Sequence, residues 1–165
     1  MEFTLHNPFA TLTWQIVSLI LFILFTLLRY FSNGAIEGWK FGRSYHIEDS
    51  WILRLHPTSS GFLDYHAHRL VVESMQFLKP LAFILVILAF WTVWKLLLLY
   101  LAVHLFGIMI YEFVLNTMCY GNAFHQKNTF RIMGMNIPYL AMPAQIILLG
   151  ILPLYVSYMV IYGLF

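Results

Sequence analysis

Three apolar runs, separated by one long polar segment and one short one, organise this chain. The first covers residues 14–31, with Trp14, Tyr30 and Phe31 placed as interfacial aromatics and Arg29 near its end. Eighteen residues at 1.5 Å each reach about 27 Å, enough to cross the hydrocarbon of a bilayer. Ser32, Asn33 and Gly34 follow and are expected to release the helix. The next apolar stretch, from Leu81 to Met118, carries only Lys95, His104 and Glu112 as ionisable groups. As one helix it would measure about 57 Å, nearly twice the thickness to be crossed. A hairpin near Trp94-Lys95 divides it into spans at 78–94 and 96–118. The last run, 138–163, is expected to be irregular because Pro138, Pro143 and Pro153 interrupt it, Pro153 in mid-membrane.

Residues 32–79 form the polar segment. It holds Glu37, Glu48, Asp49, Asp64 and Glu73, together with His46, His56, His66 and His68. His56-Pro57 marks a boundary, since the residue before proline avoids the helical region. Thr58, Ser59 and Ser60 offer capping oxygens for an amphipathic helix over residues 61–79. Leu63, Ala67, Leu70, Val71, Met75 and Leu78 make its apolar side, and His66, Arg69, Glu73 and Gln76 a polar stripe. Arg69 and Glu73, four apart, can pair, and Pro80 is expected to kink the helix where it enters the bilayer. Trp39, Phe41, Tyr45 and Trp51 lie among basic residues, a mixture suited to the headgroup layer or to another protein.

Composition agrees with this pattern. The chain is 61% hydrophobic and 10% charged, with mean hydropathy +0.78, against roughly 25% charged residues in soluble domains. The apolar runs are continuous rather than alternating, which disfavours a β-barrel. The expected fold is therefore an all-α integral membrane protein in a single polytopic domain. It has four transmembrane helices, or three if 81–118 is one helix, plus the surface helix at 61–79. A net charge of +2 is too small to point to nucleic acid. Lone Cys119 cannot form an internal disulfide. The first residues carry Glu2 and no basic residue, so no removable signal peptide is expected.

Charge favours the hairpin. With it, Arg29, Lys40, Arg43, Arg54, Arg69, Lys79, Lys127 and Arg131 lie on one side and Lys95 alone on the other. The positive-inside rule then puts residues 32–79 and 121–136 on the cytoplasmic side and both termini outside.

The chemistry-bearing residues fall into two groups. In the third span, Tyr100, His104, Gly107 and Tyr111 share a face, with Glu112 and Asn116 a step around it. An ionisable group there is either a polar path through the membrane or a hydrogen-bonded packing group. In the polar segment, imidazole and carboxylate side chains together suit zinc or non-haem iron. His66 and His68 stand about 200° apart on a helix, so one helix cannot supply a whole site. Its ligands would come from several segments: His46, Glu48, His66, Glu73, Glu112 and His125. Against this, Glu-x-x-His pairs, H-E-x-x-H, adjacent-histidine boxes, G-x-S-x-G and phosphate-binding loops are all absent, and His104 has no second intramembrane histidine for a haem. The reading that fits best is a small polytopic subunit with a structural, assembly or docking role in a larger membrane complex, its partners being lipid and other subunits or copies of itself. A membrane metalloenzyme with its site at the cytoplasmic face, and a transport or pore-forming protein using the third span, are the alternatives.

Overall fold

The computed structural model describes residues 8–45, 61–90, 92–120, 129–132, 135–138 and 142–165. Its membrane part is entirely helical: α1 (Leu12–Tyr45), α2 (Gly61–Phe90), α3 (Val93–Tyr120), α4 (Met142–Gln145) and α5 (Leu152–Tyr162). A π-helical stretch, Ile146–Ile151, joins α4 to α5. Between α3 and α4 lies a short antiparallel hairpin of β1 (Thr129–Ile132) and β2 (Met135–Pro138), with Thr129 opposite Pro138 and Ile132 opposite Met135. Four helical segments are long and apolar enough to cross a membrane: Leu12–Gly38, Ala67–Phe90, Val93–Cys119 and Pro143–Tyr162. The protein is thus a multi-pass integral membrane protein.

The stretch 81–118 does fold back on itself, three residues before the expected place. The break falls between Phe90 and Val93. Thr92 makes it: its hydroxyl donates to the Phe90 carbonyl at 2.9 Å, satisfying one orphan acceptor at the end of α2. Its own carbonyl accepts from Leu96 N–H at 3.2 Å, the first turn of α3. A threonine at a helix start does here what Gly, Pro or Asn often does elsewhere.

Three other boundaries differ from the sequence reading. Helix α1 does not end at Ser32-Asn33-Gly34 but continues to Tyr45, because Gly34 is a contact point rather than a stop. Pro80 lies inside α2 without interrupting it, so 61–90 is one continuous helix. In lipid, the backbone groups around a proline have no water to turn to, which favours keeping the helix intact. Pro138 ends β2, where a strand tolerates a missing N–H, and helix resumes at Met142. Pro143 then occupies a first turn, where its missing N–H costs nothing. Pro153 lies inside the continuous Pro143–Tyr162 span, directly after the π-helical turn that supplies the irregularity expected there.

Helix α1 is the centre of the arrangement. It packs along α2 on one side and along α3 on the other, and α5 packs on α3. Contacts fix the directions: Gln15 Nε2 donates to the Ala89 carbonyl at 3.3 Å, and Ser32 meets His68, so α1 and α2 are antiparallel. Lys95 Nζ donates to the Gly163 carbonyl, and Phe90 meets Phe165 edge-on at 5.4 Å. The start of α1, the α2–α3 turn and the end of α5 therefore share one end of the bundle. Helices α2 and α3, though consecutive, touch at only a few positions. The spans thus lie in the order α2, α1, α3, α5, as an open row.

Small residues set the α1–α3 distance. Gly34 and Gly38 form a G-x-x-x-G step, the pattern that lets membrane helices approach closely. A Cβ at Gly34 would stand 2.8 Å from the Tyr111 carbonyl oxygen and 3.1 Å from Val114 Cβ, and one at Gly38 would overlap the Met118 side chain. Leu19, Phe22, Ala82, Val86, Leu96, Leu99 and Val103 form the apolar core nearer the turn end.

Candidate functional site

Polar groups from three helices meet in the middle of the bundle. On α2 the bundle-facing positions are Met75, Lys79, Ala82, Val86 and Ala89, all buried, at alternating four- and three-residue steps. Lys79 belongs to this seam. The sequence reading placed it with the basic surface residues; only 9% of it is exposed, and it points at α3. Its Nζ lies 3.0 Å from His104 Nε2.

The bond on the other side of the ring decides the tautomer. His104 Nδ1 lies 2.7 Å from the Tyr100 backbone carbonyl, which can only accept. Nδ1 therefore carries the proton, Nε2 presents its lone pair, and the Lys79 ammonium donates to it. Lysine donating to a neutral histidine is consistent with both distances.

Aromatic rings wall this pair. The Tyr100 ring stacks on His104 with centroids 3.9 Å apart, and Lys79 Nζ stands 5.9 Å from the Tyr100 centroid, within cation–π reach. Tyr30 meets the imidazole edge-on at 5.9 Å. Its place depends on Gly107, where a Cβ would overlap the Tyr30 ring. Phe22 packs on Phe83 at 5.0 Å, and Phe83 on Tyr100 at 4.9 Å. Beside the pair is a cavity of about 420 Å³ between α2 and α3, lined by Arg29, Gln76, Lys79, Phe83, Ile84, Leu97 and Tyr100 among others. It exists because these two helices stand apart.

Of the predicted intramembrane residues, Tyr100 and His104 come together here. Tyr111 and Glu112 are half-buried further along α3, and the Tyr111 backbone faces Gly34. Asn116 is buried with its Oδ1 unbonded among the described residues, and Thr117 donates to the Phe113 carbonyl at 2.7 Å. Arg29, Tyr30 and Lys79 were missed as site residues. Arg29 and Lys79 were read as flanking charges, although each lies within an apolar run, and that position was the available signal.

The proposed metal ligands are only partly visible. His46, Glu48 and His125 lie outside the described residues, and the side chain of His66 does too, although its backbone is part of α2. Glu73 is exposed and accepts from Arg69 Nε at 2.8 Å, as its i,i+4 spacing predicts. Among the described residues, no three His, Cys, Asp or Glu side chains converge as a metal site would require. His68, outside that ligand set, meets the Ser32 hydroxyl at 3.2 Å.

No protein-family model, curated protein or solved structure matches this chain.

Proposed function

We propose that this protein is a small subunit of a larger membrane assembly, holding its place by packing its helices against partner subunits or further copies of itself. The open row of spans carries this reading. Large apolar side chains on every span, such as Leu24, Phe77, Leu101 and Tyr158, are exposed and are left for lipid or for other proteins. A closed four-helix bundle would bury one stripe of every helix against two neighbours; here α2 packs mainly on α1 and α5 mainly on α3, and among the described residues α2 and the end of α5 meet only where Phe90 touches Phe165. Contacts between membrane helices are made by close packing rather than by hydrophobicity, and the outward faces of the four spans are open to it.

The end of the bundle that carries the α1–α2 and α3–α4 connections faces the cytoplasm. Lys40 and Arg43 in the last turns of α1, Arg69 in α2 and Arg131 in β1 belong to it, against Lys95 at the other end. The first turns of α2, with the Arg69–Glu73 pair, lie in the headgroup layer as an amphipathic extension of the span.

Extraction from native membranes in a mild detergent, followed by native mass spectrometry, tests the assignment. Stoichiometric co-purification with other subunits, or a defined homo-oligomer, is the expected outcome. A monodisperse monomer with an activity of its own would refute it.

A second reading, a polar path along α3, is favoured by the Lys79–His104 bond in mid-bundle. Reconstituted protein and its His104→Leu variant would be compared for ion or anion flux in liposomes. Equal flux in both, or none in either, removes this mechanism.

A further inference from the structure

The cleft between α2 and α3 contains positive charge that no carboxylate in the described part of the protein offsets. Arg69 and Glu73 form an ion pair on the surface; neither Arg29 nor Lys79 has such a partner among the described residues. Lys79 lies roughly 16 Å along α2 from Phe90, and Arg29 roughly 22 Å along α1 from Trp14. With about 30 Å of hydrocarbon to cross, Lys79 stands near mid-depth and Arg29 some way above it. Cations at such depth are costly and are retained where they meet a ligand or a counter-charge.

The same cleft has the shape to admit one. Arg29, Gln76 and Lys79 sit at its polar end, and Phe83, Ile84 and Leu97 make an apolar wall. Ile84 and Leu97 are more than half exposed, so this wall opens sideways, where acyl chains lie. Three observations thus point to one kind of molecule: neighbouring cations with no counter-ion among the described residues, a neutral amide donor beside them, and a greasy groove open to lipid.

We propose that the α2–α3 cleft binds an anionic lipid, its carboxylate or phosphate held by Arg29, Lys79 and Gln76 and one acyl chain lying on Phe83, Ile84 and Leu97. The guanidinium fork of Arg29 matches either oxyanion in two-point fashion, and the ammonium of Lys79 supplies a point charge. Low polarity around the site strengthens both contacts. The volume, about 420 Å³, is toward the small end for ligand sites and suits one chain rather than two. His104 acts as a positioning residue: its lone pair holds the Lys79 ammonium in the cleft. The exposed stripe of Arg69, Glu73 and Gln76 on α2 leads from the headgroup layer down to the site. This inference is independent of whether the chain works within an assembly.

The full chain, reconstituted into phosphatidylcholine nanodiscs doped in parallel with oleate or phosphatidate, provides the test, with bound lipid counted by native mass spectrometry. One anionic lipid is expected to remain bound, preferred over phosphatidylcholine by at least about tenfold, the scale of a single charge-assisted contact. The double variant Arg29→Gln/Lys79→Gln should lose that preference, Arg29→Lys/Lys79→Arg should keep it, and Lys95→Gln at the far end of the bundle should leave it unchanged. Ile84→Trp, which fills the groove from its exposed side and leaves both cations in place, should weaken retention with the helical content intact, so the test survives if the double variant fails to fold. Equal retention of phosphatidylcholine by the wild-type chain, or undiminished preference in both the double variant and Ile84→Trp, overturns the proposal. So does displacement of the bound lipid by inorganic phosphate, which would identify a free anion as the ligand.

Discussion

Along α1, the backbone of α3 comes so close that a methyl group at Gly34 would stand 2.8 Å from the Tyr111 carbonyl oxygen. Along α2, the two backbones stand apart, and only long side chains such as Lys79 and His104 meet across the gap. The same helix thus makes one tight contact and one open one within a few turns. Residue size explains both. Gly34, Ala35 and Gly38 present almost no side chain, so van der Waals packing of backbone on backbone is available. Lys79, Phe83, Tyr100 and His104 hold their helices apart, and the space between them becomes a cavity. In water such a gap would be squeezed out by apolar collapse; in lipid that driving force is missing, and a cleft can persist.

This contrast can be broken most severely from its tight side. Gly38→Leu inserts a side chain into the position of Met118 and is expected to cost about 3 kcal/mol, read as earlier unfolding in a denaturing-detergent titration followed by tryptophan fluorescence. On the open side, His104→Leu removes the acceptor that holds the Lys79 ammonium and leaves the cation buried without a partner; a loss of about 2 kcal/mol is expected in the same titration. Gly107→Ala separates the two effects, because the added methyl displaces Tyr30 from its place against His104. Its cost should be smaller, about 1 kcal/mol.

Lys79→Met sharpens the comparison by its size. Replacing the buried cation with an apolar side chain of similar length leaves only the neutral His104 Nε2 without its partner, so the loss should be no more than about 1 kcal/mol, less than for His104→Leu, which strands the charge itself. The smallest effect belongs to the exposed pair: Glu73→Gln removes the partner of Arg69 and should change stability by about 0.3 kcal/mol, fading further at high salt.

Hydropathy and length along the chain were enough to mark the membrane-crossing segments, and the distribution of basic residues favoured a turn within 81–118 over one long helix. The polar stripe of Arg69, Glu73 and Gln76 was also legible, because helical spacing is a local property of the chain. The turn at Thr92 was not, because a threonine between two apolar runs does not by itself mark a helix boundary; the sequence points to Trp94-Lys95 instead. Gly34 carried two local meanings, helix release and close approach, and nothing nearby in the chain distinguishes them.

What only the tertiary structure decided is which groups meet. Arg29, Lys79 and His104 lie on three different helices, and no spacing rule connects them. Their convergence depends on the rotation and vertical register of α1, α2 and α3: Gly34, Gly38 and Gly107 set α1 against α3 through contacts with Tyr111, Met118 and Tyr30, and the Gln15–Ala89 and Ser32–His68 contacts set α2 against α1. Burial of Lys79 follows from the same register. Sequence determines how apolar a segment is and therefore whether it enters the bilayer; packing between segments determines which of its few charges end up inside, and beside what.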